Sequence, residues 1–65
     1  MSAVEKTYTL ACVELRRHVV SENLAEQKRW LSLANALIDC YPSLVPSREA
    51  DAELNAAQSA LSDTT

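Results

Sequence analysis

Apolar residues recur along the first twenty positions at spacings of three and four: Val4, Tyr8, Ala11 with Cys12, Leu15 and Val19. That is the repeat of one helical face. A second row, Leu10, Val13, Val20 and Leu24, is interrupted by Arg17. The two rows together predict one broad apolar face, with Glu5, Lys6, Glu14 and Arg16 mostly off it. Ser2 and Glu5 have the S-x-x-E spacing of a capping box, which occupies backbone N–H groups left free at a helix start. The pattern predicts a helix over residues 3–20.

Asn23 followed by Glu26 is a weaker capping box of the same kind. The row behind it is Leu24, Leu31, Ala34, Ile38 and Tyr41, widened by Trp30, Leu33 and Leu37, and it predicts a helix over 24–40. Pro42 stops this helix by disfavouring helical geometry at Tyr41. The break at Ser21-Glu22-Asn23 contains neither Gly nor Pro, so a continuous helix over 3–40 is the competing reading. Such a rod would be about 57 Å long and would leave its wide apolar face for another chain to cover. A hairpin of two long antiparallel helices is preferred.

Residues 41–46 read as a linker. Ser47 is a good N-cap, and Glu49 and Asp51 suit the positive end of a helix dipole. A third, short helix is expected over 47–61, with a frayed tail at 62–65. Its apolar face is thin: Ala50, Leu54, Ala57 and Leu61, with Ala56 and Ala60 nearby. The expectation is a light strut across the hairpin, with Leu44 and Val45 filling the corner.

Composition narrows the class. The chain has 65 residues, 48% of them apolar and 23% charged, with no glycine and two prolines. Without glycine, tight β-hairpin turns are hard to build, so the fold class is all-α. A single domain of this size buries only about 60% of the surface of its unfolded chain, and small domains often add a disulfide, a metal or a second copy. The wide faces of the first two helices exceed what the third can cover. A homodimer is therefore expected, its seam along Leu24, Leu31, Ile38 and Tyr41. No run approaches the roughly 20 apolar residues of a membrane span. With Glu5 and Lys6 ahead of any apolar stretch, the chain reads as cytoplasmic with no membrane partner.

Candidate chemistry is sparse. Cys12 and Cys40 would lie far apart in a hairpin turning near residue 22, so both are expected to be buried free thiols. One His and two distant Cys do not make a metal site, and no cofactor is expected. His18 with Glu14 one turn before it is more simply a surface pair than a catalytic one. No phosphate loop or nucleophile motif is present, so no enzyme activity is expected.

The basic residues carry more information. Arg16, Arg17, Lys28 and Arg29 are four of the six Lys/Arg residues, and with His18 they flank the 21–23 break. Folding back brings them to one end of the hairpin. Dipole complementarity and pairing with Glu14 account for the first run, and pairing with Glu22 and Glu26 for the second. Cations are not favoured early in a helix, however, where Lys28 and Arg29 sit. Trp and Arg are enriched among the residues that dominate protein interfaces. Arg16, Arg17, Lys28, Arg29 and Trp30 are therefore the candidate partner-binding surface. The expected function is a small interaction module: a regulator, inhibitor or adaptor of a larger bacterial protein, a transcription factor among the candidates. Its size and plainness are those of small helical accessory proteins of phages and bacteria, a likeness of size class alone. The alternative is a helix-turn-helix-like DNA-binding regulator. Asn23, Gln27 and Lys28 would then read bases, and Arg16 and Arg17 would hold phosphates. A net charge of −3 weighs against it.

Overall fold

A computed structural model describes residues 2–63. It is all-helical: among the described residues there are three helices, α1 (Ala3–Val20), α2 (Leu24–Cys40) and α3 (Arg48–Asp63), and no strand. At α1's start, the Ser2 Oγ accepts from the Glu5 N–H at 3.2 Å and donates to the Glu5 carboxylate at 3.2 Å. Asn23 starts α2 by accepting from the Glu26 N–H at 3.2 Å, and the Ser47 hydroxyl accepts from the Ala50 N–H at 3.1 Å ahead of α3.

The turn between α1 and α2 does without glycine by placing an ordinary residue in the left-handed region. Glu22 has φ 60°. The Asn23 N–H bonds to the His18 carbonyl at 3.0 Å and the Glu22 N–H to the Val19 carbonyl at 3.2 Å. These are the two bonds of a Schellman motif, with Glu22 where glycine is usual. The continuous rod is excluded by this break and by the longest dimension of the molecule, 33 Å.

The core consists of Tyr8, Ala11, Cys12 and Leu15 from α1, Leu31 and Ala34 from α2, and Leu54, Ala57 and Leu61 from α3. Ala11 and Ala34 are fully buried, which lets α1 and α2 approach closely. Trp30, Leu33, Leu37, Ile38, Leu44 and Ala50 pack around this centre.

Several expectations are corrected. The third helix is not short: it has 16 residues and supplies a third of the core, because Leu54, Ala57 and Leu61 fall on one stripe. Ser62 and Asp63 belong to α3, while the rest of the expected frayed tail lies outside the described residues. Val45 is 82% exposed, so Leu44 alone fills the corner. Cys40 is exposed, although Cys12 is buried and both are free thiols. Most consequentially, the two α1 rows do not form one face. At 100° per residue, Leu10 and Val13 lie roughly opposite Tyr8 and Leu15, and they are exposed while Tyr8 and Leu15 are buried.

Two substitutions probe this arrangement. Glu22→Gly should stabilise the fold by about 0.5–1 kcal/mol, since a left-handed L-residue costs about 1–2 kcal/mol and glycine's extra unfolded-state entropy returns part of that. Leu54→Ala should cost about 2–5 kcal/mol, as expected for a core leucine rather than a strut residue. Urea unfolding followed by circular dichroism measures both.

Candidate functional site

Every arginine near the α1–α2 turn is drawn to a carboxylate. Arg16 reaches α3, where its Nη2 donates to both oxygens of Glu53 at 2.8 and 3.1 Å. Arg17 donates to Glu14 at 2.9 Å, and Arg29 approaches Glu26 at 3.8 Å. His18 sits between the Glu14 and Glu26 carboxylates, at 3.7 and 3.9 Å. Lys28 is exposed and has no ionic partner among the described residues. The expected positive patch is thus largely neutralised at short range. The guanidinium of Arg16, hydrogen-bonded to Glu53, is held charged even more firmly than usual. These contacts lie on the surface, screened by solvent, so each contributes little to stability. The Arg16–Glu53 pair links the surfaces of α1 and α3, whose packing rests on Leu54, Ala57 and Leu61.

The other expected site residues are placed differently. Trp30 packs against the core, and its Nε1 is buried without a hydrogen-bond partner among the described residues. It belongs to the fold rather than to an exposed anchor. Of the expected seam, Leu31 is buried within the single chain and Ile38 packs beside it. Only Leu24 and Tyr41, at the two ends of that row, are exposed. The row faces α1 and α3, so its middle is already covered.

Gln27 is the buried polar side chain of the described core, 5% exposed. Its Nε2 donates to the His18 carbonyl at 3.0 Å, capping the end of α1 from α2. Two of the three residues proposed to read bases are therefore committed: Asn23 caps α2 and Gln27 caps α1.

The feature that sequence reasoning missed lies beside these residues. Leu15, Arg16 and Val19 of α1, Gln27 of α2, and Glu53, Ala56, Ala57 and Ala60 of α3 line an open groove of about 400 Å³. The Arg16–Glu53 pair lies on its rim and Gln27 contributes from α2. The remaining lining is aliphatic. The sequence held a faint signal: the alanines at 56, 57 and 60 make α3 too narrow there to fill the space against α1.

The titratable groups that the fold perturbs are structural. Burial pushes the Cys12 thiol up, away from the thiolate a nucleophile needs. Tyr8 is pushed up to about 12, first by burial and then by the neighbouring Cys12. Its hydroxyl is buried without a well-formed hydrogen bond among the described residues. Among the described residues no helix is long and apolar enough to cross a membrane. No family model, no curated protein and no solved structure matches this chain.

Tyr8 generates a pH prediction. The unfolded chain ionises this phenol near 10.0, whereas the folded chain keeps the proton to about 12. Its contribution is present below pH 10 and is lost as pH rises through that window. Tyr8→Phe should be neutral or stabilising at pH 7, because it removes an unpartnered hydroxyl. Its stability should also fall less steeply above pH 10 than the wild type's. Thermal melts of both proteins from pH 8 to 12 isolate the difference.

Proposed function

We propose that this chain is a protein-interaction module: an α1–α2 helical hairpin, braced by α3, that self-associates and binds a larger protein as a regulator, inhibitor or adaptor. The groove between α1 and α3 supports this reading most directly. At about 400 Å³ it falls at the low end of the roughly 300–1,000 Å³ typical of ligand pockets. It is open along one side, and it offers few convergent polar groups to orient a small molecule. An alanine wall opposite Leu15 and Val19 instead suits the apolar stripe of an incoming amphipathic helix. Val19, on the groove's α1 wall, is 47% exposed, so apolar surface there is open to a partner.

Charge decides what the helix should carry beside its apolar stripe. Arg17 and Arg29 keep side chains 71% and 75% exposed despite their ion pairs, and Lys28 has no ionic partner among the described residues. These cations sit at the same end of the α1–α2 pair as the groove. Acidic residues flanking the apolar stripe would meet them. Arg16 thus lies on the rim of the groove, Lys28 and Arg29 stand on α2 near its turn end, and aliphatic residues form the groove's centre.

The DNA-binding alternative has less support. Phosphate binding draws its strength from several unpaired cations, and here Arg16, Arg17 and Arg29 each hold a carboxylate. Asn23 and Gln27 would have to leave their capping bonds to reach a base.

The test is capture from bacterial lysate, with and without nuclease, on the tagged wild type, Ala60→Arg and the pair Arg17→Glu/Lys28→Glu. Both variants should retain wild-type helicity by circular dichroism, since all three positions are exposed. Ala60→Arg fills the groove and should abolish capture of a specific protein, and the charge-reversal pair should weaken it. Capture untouched by Ala60→Arg would remove the groove from the function. Capture wholly abolished by nuclease would move the reading to DNA.

A further inference from the structure

α1 carries a second apolar surface that neither the core nor the groove uses. Leu10 is 50% exposed, Val13 43% and Val20 82%. With Arg17 they run along one side of the helix at spacings of 3, 4 and 3 residues. That is the alternation of a coiled-coil seam, with Leu10 and Arg17 at a positions and Val13 and Val20 at d. The row lies opposite the buried Tyr8, Ala11, Cys12 and Leu15, so α2 and α3 stand on the far side and do not obstruct it.

We infer that this row is the seam of a homodimer in which α1 packs antiparallel against α1 of a second copy. The inference rests on the self-association proposed above and names its surface, in place of the α2 row. Charge selects the occupant and its direction. In a parallel pair, Arg17 at an a position would meet Arg17 of the other copy. In the antiparallel register, Leu10 packs against Val20 of the second copy and Arg17 against its Val13, next to its Glu14. By symmetry each copy then supplies the cation the other needs. Glu14 already meets Arg17 and His18 of its own chain at 2.9 and 3.7 Å, so the exchange adds a further cation to a carboxylate that already faces basic groups. The opposed helix dipoles favour the same direction.

Surface area agrees. A compact monomer of 7.2 kDa presents about 4,100 Å², whereas this chain presents 4557 Å². Covering the outer face of α1, about 27 Å long, removes part of that excess. A seam of one helix pair is smaller than a standard interface of roughly 800 Å² per partner. The dimer is therefore a reversible one whose population rises with concentration.

Sedimentation equilibrium from micromolar to millimolar concentration tests this. The wild type should approach twice 7.2 kDa, and Val13→Glu should remain monomeric with unchanged helicity. Arg17→Glu should weaken association about tenfold, and Glu14→Arg/Arg17→Glu should restore it, because the swap rebuilds the pairs between copies. A wild type that stays monomeric throughout overturns both self-association and its seam. A dimer indifferent to Val13→Glu overturns the seam alone, and failure of the charge swap to rescue overturns the antiparallel register. Capture through the groove is read separately, since Ala60→Arg leaves this face intact.

Discussion

The His18 carbonyl is the point on which the arrangement of the helices depends. As an acceptor near the end of α1 it would ordinarily be left to solvent. Here it takes the Asn23 N–H and the Gln27 side-chain amide, both at 3.0 Å, and the Ser21 hydroxyl at 3.3 Å. The first bond closes the turn, and the second ties the first coil of α2 to the last coil of α1. A buried amide left unbonded would cost about 1–3 kcal/mol. Gln27 therefore fixes the approach of α2 as well as satisfying a carbonyl. The strain of Glu22 in the left-handed region is carried by the same short segment, with no glycine to relieve it.

From that constraint follows the division of α1 into three surfaces. One stripe enters the core with Ala11 in contact range of the other helices. Leu15 and Val19 extend beyond the point where α3 can follow, because α3 offers only alanine there, and the gap becomes the groove. The third, Leu10, Val13, Arg17 and Val20, faces away from everything else in the chain. A 65-residue protein has little apolar surface to spare, so two uncovered aliphatic areas on one helix are a physical argument for partners.

The charges shape these surfaces more than they hold the fold. Arg16–Glu53 bridges α1 and α3 at the surface, and the remaining pairs keep an acidic protein from presenting a naked cationic end. Tyr8 and Trp30 show the cost of so small a core: Tyr8 is buried and Trp30 partly buried, and each leaves one polar atom without a partner among the described residues. For Tyr8 the area gained offsets that loss, as a buried aromatic removes about 150–250 Å² from water.

The spacing of apolar residues, the S-x-x-E and N-x-x-E signals and Pro42 sufficed for an all-α chain of three helices, because helix formation and capping are local. Single-chain periodicity could not say which apolar row of α1 would be buried. Leu10 and Tyr8 are equivalent by that measure, and only the approach of α2 and α3 separates them. Nor could it find Glu53 as the partner of Arg16, 37 residues away, or foresee Gln27 turning inward to His18. The groove, the burial of Leu31 and the exposure of Cys40 were likewise settled by how the helices sit together. Local sequence determined the helices, while the faces left open for function were decided by contacts between residues far apart in the chain.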